Sequence, residues 1–171
     1  EDVVLQAKRD LPEKIFRSLY LAEAMEGEGQ LITNENIFNI FENELDPGEQ
    51  RYITGDIARL GADKTVWMVW DGWVVIEIVV IAQSGIDYVS QRINELMAKY
   101  KVPKYNVIVD EDGVGGGVVD FVKCKGFVNN SRPITKGNGV ANFSNLKSQC
   151  YYLFAEKVNK RLVKIDCKDS L

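Results

Sequence analysis

Thr65-Val66-Trp67-Met68-Val69-Trp70-Asp71-Gly72-Trp73-Val74-Val75-Ile76-Glu77-Ile78-Val79-Val80-Ile81 is a long run dominated by β-forming residues. Its β-branched and aromatic residues suit a pleated, half-buried surface better than a helix. Asp71-Gly72 separates two such runs, Thr65 to Trp70 and Trp73 to Ile81. An Asp-Gly pair between apolar runs is the strongest short-range signal for a β-hairpin. The run from Trp73 to Ala82 is broken by Glu77 and is far shorter than the ~20 apolar residues of a membrane span, so no membrane partner is expected.

Working outward, Tyr52-Ile53-Thr54-Gly55-Asp56-Ile57 reads as a strand ahead of the hairpin. Behind it, Val89, Ile93, Leu96, Met97 and Tyr100 recur at helical spacing between Tyr88 and Tyr100. Asn106 to Val109 is a short apolar strand of the kind buried on both faces. Val114 to Cys124 reads as a helix, Phe127-Val128 as a strand, and Asn129 to Asn142 as a polar loop. Ser144 to Val158 reads as a final helix, with Leu146, Cys150, Leu153, Phe154 and Val158 on one face. This order predicts an α/β fold with a mixed sheet, its leading strands antiparallel, its later strands parallel, and helices on its faces.

Residues 1–49 differ in character. They carry a helix pattern from Leu11-Pro12 through Ala22, ended by Gly27-Glu28-Gly29, and a shorter one from Asn34 to Phe41 capped by Thr33 or Asn34. Glu42 to Gln50, with Pro47-Gly48, reads as a linker. The division expected is a helical and linker segment over 1–49 and one domain over 50–171.

Composition bounds the chemistry. The 171 residues, 46% hydrophobic and 27% charged, describe an ordinary globular chain with room for a real core. The net charge of −4 is uneven: residues 1–50 hold a balance of −8 and residues 51–171 one of +4. The larger part is compatible with a polyanionic partner, and equally with an evenly solvated surface. There is no histidine, which excludes Ser-His-Asp and Cys-His nucleophiles and removes the commonest zinc ligand. Three cysteines without CxxC spacing indicate neither a disulfide framework nor a zinc knuckle. With no signal-peptide pattern, a reducing cytoplasmic setting is expected.

Catalysis in such a chain rests on carboxylates, amines, hydroxyls or a metal held by oxygen. Two acidic segments stand out: Gly55-Asp56-Ile57-Ala58-Arg59-Leu60-Gly61-Ala62-Asp63, and Val107-Ile108-Val109-Asp110-Glu111-Asp112-Gly113-Val114-Gly115-Gly116-Gly117. Asp56 lies within a strand, where Asp is disfavoured. Asp110 closes a buried strand, where ligand groups gather in open α/β sheets. Carboxylates on two neighbouring strands suit Mg²⁺ or Mn²⁺. The plainer reading makes Asp56 a ladder-edge residue and Asp110 a cap for the following helix.

These segments resemble a known family. Asp56, Ala58, Gly61 and Asp63 follow an Asp-x-Ala-x-x-Gly-x-Asp pattern similar to the first motif of the nuclease domains of viral terminase large subunits. Asp110, Gly113 and Gly115, with Val118, Val119 and Asp120 beyond, resemble the second, and Asn145-Leu146-Lys147-Ser148-Gln149 opens the helix expected later. The resemblance covers about residues 50–171. It implies a ribonuclease H-like fold and a two-metal endonuclease that cuts concatemeric viral DNA, with Mg²⁺ or Mn²⁺ as cofactor. Asp56 and Asp110 would be catalytic metal ligands, and Asp63, Glu111 and Asp112 auxiliary acids. The family's third acid has no counterpart in a matching segment; Asp166 and Asp169 are the only late acids, and Asp166 is the candidate. Impaired cleavage by these residues alone is therefore expected. Double-stranded DNA, a terminase small subunit and a portal protein are the partners implied, in the host cell cytoplasm. Lys99, Lys101, Lys104, Arg132 and Lys136 are candidate phosphate contacts, or simply a solvated face.

Other readings fit less well. Gly113 to Gly117 follows a strand as dinucleotide loops do, but Val118 replaces the third glycine and no acid follows at the spacing that binds ribose. Lys64-Thr65 lacks the preceding glycine and the following helix of a phosphate loop. A non-catalytic DNA-binding or assembly module on the same fold, and another ribonuclease H-like nuclease such as a junction resolvase, remain the alternatives.

Overall fold

The computed structural model describes residues 4, 8, 30–58, 63–82, 85–112, 114–135 and 143–167. The helix expected from Leu11 to Ala22, together with Gly113, Lys136 and Asp169, lies outside them. The elements are α1 (Asn34–Asn39), β1 (Arg51–Asp56), β2 (Thr65–Asp71), β3 (Val74–Ile81), α2 (Ile86–Tyr100), β4 (Val107–Asp110), α3 (Gly115–Val122), β5 (Lys125–Phe127), α4 (Leu146–Asn159) and β6 (Lys164–Ile165), with a 3₁₀ turn at Lys104–Asn106 before β4.

The hairpin forms where the sequence places it, with its turn one residue later. Asp71 stays in β2 opposite Val74, and Gly72 and Trp73 make the turn. Gly72 takes a φ of 60°, which costs a glycine nothing. Asp71 is held in the strand by Arg51, whose Nε donates to its Oδ2 at 2.8 Å.

Six strands form one sheet in the order β5-β4-β1-β2-β3-β6. β2 runs antiparallel to β1 and β3, while β4 is parallel to β1, β5 to β4 and β6 to β3. After β3 the chain crosses by α2 to the far side of β1, and so inserts β4 beside the first strand. This is the ribonuclease H-like mixed sheet expected from the sequence.

One face of the sheet carries the main core. Ile53, Trp67, Val69, Val107 and Val109 pack with Val89, Ile93 and Leu96 of α2 and Val118 of α3. Each such side chain contributes roughly 1.5–3 kcal/mol when fully buried. The α2 residues are those whose helical spacing marked them. Gly55 belongs to the same face: a Cβ there would lie 1.9 Å from the Trp67 ring, so glycine makes the room that the indole fills. Val75 pairs with Trp70 and belongs to the other face. With Ala155, Val158 and Val163 it is buried apart from the main core.

The segment before β1 is tied to the end of the chain. Asn36 donates to Asn159, Arg161 pairs with Glu35, and the Ile165 N–H donates to the Ile40 carbonyl. Thr33 caps α1 by accepting from the Asn36 N–H, as its sequence position indicated.

Candidate active site

Parallel pairing of β1 with β4 sets Ile53 beside Val107, Thr54 beside Ile108 and Gly55 beside Val109. The next residue on each strand is Asp56 on β1 and Asp110 on β4. Side chains alternate along a strand, so both acids lie on the face opposite Gly55, Val109 and the main core. Adjacent strands stand ~4.8 Å apart, so the two acids are neighbours at the point where the β1–β4 ladder ends. Asp56 is exposed and Asp110 half-buried, so the pair sits at the carboxyl edge of two central strands and opens to solvent.

The turn after β4 is tight. A Cβ on Gly115 would lie 1.7 Å from the Asp110 carbonyl oxygen, so glycine alone lets α3 start directly over the strand end. Asp110 Oδ1 accepts from the Asp112 N–H at 3.0 Å. Asp112 Oδ2 accepts from both the backbone N–H and the side-chain amide of Asn129, at 2.9 and 2.6 Å.

The auxiliary acids part company here. Gly126 pairs with Val109, and Glu111 Oε2 comes within 1.7 Å of where a Gly126 Cβ would be. The Glu111 carboxylate therefore lies on the core face, across the sheet from Asp110. Asp63 is exposed two residues before β2, at the same edge as Asp56. Asp166 follows β6, where its N–H donates to the Val75 carbonyl. β6 lies beyond β2 and β3 from β1 and pairs with the start of β3, toward the opposite sheet edge, so Asp166 stands more than about 14 Å from the β1 acid. Among the described residues no cluster of three or more His, Cys, Asp or Glu could hold a metal ion. The acids brought together are Asp56 and Asp110.

Most of the candidate phosphate contacts lie elsewhere. Lys99 and Lys101 close α2, and Lys104 opens the turn before β4, so all three gather at the amino edge of the sheet. Lys99 is engaged there: its Nζ pairs with Glu77 at 2.6 Å. Arg132 is exposed in the segment after β5, on the Asp110 side. Of the aromatics, Trp67 is core, whereas Tyr151 and Tyr152 are more than half exposed. Asn129 carried no signal in the sequence, because its contact with Asp112 exists only once β5 lies beside β4.

No protein-family model matches the sequence, and no curated protein matches it. Solved structures do match. The nuclease domain of the large terminase subunit gp2 of bacterial virus Sf6 superposes with a TM-score of 0.65 at 14% identity, over 80% of this chain and 73% of that one. A mutant of that domain with manganese gives a TM-score of 0.62 at 13% identity over the same shares. The large terminase nuclease from thermophilic phage G20c with bound magnesium gives 0.52 at 14% identity, over 84% of this chain and 77% of that one. The described chain thus has the fold of the nuclease domains of phage large terminase subunits.

Proposed function

We propose that this protein is a metal-dependent DNA endonuclease of a viral genome-packaging terminase. The observation that supports the reading is the register of β1 and β4, in which Asp56 and Asp110 each directly follow the last paired residues, Gly55 and Val109. Two carboxylates so placed fit a hard divalent cation, for which oxygen is the preferred ligand. The structures of similar fold that hold manganese and magnesium point the same way.

Asp56 and Asp110 would hold Mg²⁺ or Mn²⁺. Bound there, the ions would supply an activated water and charge stabilisation for the leaving oxygen of a phosphodiester. The chain's own part is to keep two like charges adjacent on rigid strands, with Gly115 letting the backbone turn away at once. Trp70 adds stiffness on the same face by donating its indole N–H to Thr54 Oγ1 at 2.9 Å. Asp63 stands at this edge and Arg132 on the Asp110 side, and they are the candidates to assist with cation and DNA. The site has two acids, so affinity is expected to be modest and Mn²⁺ to bind better than Mg²⁺.

In this reading the substrate is concatemeric double-stranded DNA in the host cell cytoplasm. The partners are a terminase small subunit and a portal protein. Residues 1–49 are the segment that trails a packaging ATPase, and 50–171 are the nuclease. No helix among the described residues is long and apolar enough to cross a membrane. Nicking of supercoiled plasmid in Mn²⁺ is the test. Weak nicking is expected, abolished by a chelator and reduced at least about a hundredfold in Asp56→Asn and Asp110→Asn, beyond the 10–100-fold typical of losing an outer-sphere partner. Nicking that survives either substitution would refute the assignment.

A further inference from the structure

Asp110 and Asp112 are both acids at the end of β4, yet their surroundings give them different work. The Asp112 N–H donates to Asp110 Oδ1, and this local bond restricts the rotamer of Asp110; among the described residues none donates to its Oδ2. The Asp112 carboxylate is itself taken up by Asn129, whose two N–H donors converge on Oδ2. Asn129 is fixed in turn, because its carbonyl accepts from the Lys147 N–H at 3.1 Å and the Ser131 carbonyl accepts from the Leu146 N–H at 2.8 Å. A continuous run of hydrogen bonds therefore leads from the first turn of α4, through the segment after β5, to the carboxylate of Asp110.

Resting on the nuclease reading above, we propose that Asp112 and Asn129 are positioning residues that set the orientation of Asp110, with Asp112 serving as a hydrogen-bond acceptor and not as a cation ligand. The chemistry separates the two roles. An asparagine at 112 keeps an amide oxygen that can accept the same two donors, but it brings no charge. An alanine removes the acceptor altogether. Neither change touches the 112 N–H itself and both remove the same charge, so the difference between them reports on the position of that amide.

The experiment uses the whole 171-residue chain with two readouts. The first is calorimetric titration with Mn²⁺ of wild type, D112N, D112A and N129A, with D56N as the control for the site. The second is amide hydrogen exchange at residue 112 in metal-free protein. D112A should weaken Mn²⁺ binding about 10–100-fold, the range for losing a partner that orients a ligand. D112N should rescue it to within about threefold, because the acceptor is retained. The 112 amide should be protected in wild type and D112N, and should exchange faster in D112A and N129A. Binding lost as deeply in D112N as in D112A would make Asp112 a ligand and overturn the proposal, as would an unprotected 112 amide in wild type. If D56N leaves Mn²⁺ binding unchanged, the cation site is elsewhere and the nuclease reading fails; the exchange data still decide whether the brace exists.

Discussion

Asp56 and Asp110 each stand one step beyond Gly55 and Val109, the last residues paired between two parallel strands. That relationship puts like charges side by side at the point where β1 and β4 end and their chains diverge. Folding alone gives little reason to gather them there, and the proposed cation would give a direct one. The strands are held by the tight turn after β4 and by contacts farther from the acids.

Gly115→Ala should destabilise the protein by about 2 kcal/mol or more, because the new methyl meets the Asp110 carbonyl, a backbone atom that cannot swing aside. Gly116→Ala is the control. Its methyl would have only ordinary contacts, the nearest at 3.7 Å, and should gain a few tenths to about 1 kcal/mol from helix propensity. Chemical denaturation of the two variants checks the contrast. Similar midpoints for both would show that α3 does not start as tightly over β4 as described.

Arg51→Ala should cost roughly 2 kcal/mol. Asp71 is buried and its Oδ1 has no hydrogen-bond partner, so losing the Arg51 contact at Oδ2 leaves a carboxylate with neither charge nor donor beside it. Breaking a fully buried pair costs about 3–5 kcal/mol, and the smaller figure allows for the half-exposed Arg51 side chain. Urea denaturation measures the loss, and Asp71→Asn in the Arg51→Ala background should recover part of it.

Acid stability should depend on Glu77. Burial pushes its carboxyl pKa up, but hydrogen bonds from Lys99 and Tyr100, with the Lys99 charge, more than reverse this and leave it below the ordinary value. A depressed carboxylate contributes stability above its unfolded pKa, and that contribution is lost as pH falls through the folded pKa. Wild type should therefore lose stability relative to Glu77→Gln once pH drops below about 4.3, the ordinary range for glutamate. Thermal melts of both proteins from pH 7 to pH 3 test the slope. Parallel curves would show that the link between β3 and α2 carries no net charge energy.

Much of this was legible in the sequence, for physical reasons that differ by element. The hairpin, the apolar stripe of α2 and the cap at Thr33 depend on residues a few positions apart. Asp56 and Asp110 stood out singly, as acids in strand contexts. Their place on neighbouring strands was expected from the order of the strands and the family resemblance, and not from spacing, because 53 residues and the α2 crossover lie between them before β4 inserts beside β1. Glu111, Asp112 and Asp166 looked equivalent as acids, and only the pairing of β5 and β6 separates their surroundings. The lysines Lys99, Lys101 and Lys104 showed the same limit: charge along a chain does not say which edge of a sheet it will occupy. Asn129 could not be read at all, since its partner is brought to it by β5.

Whether Asp56 and Asp110 together hold a divalent cation is decided by anomalous scattering from crystals of the protein soaked in Mn²⁺. A manganese peak is expected between the Asp56 and Asp110 carboxylates, with water completing the coordination, and no peak there in Asp110→Asn crystals. Manganese bound elsewhere, or an empty edge at saturating Mn²⁺, would contradict it.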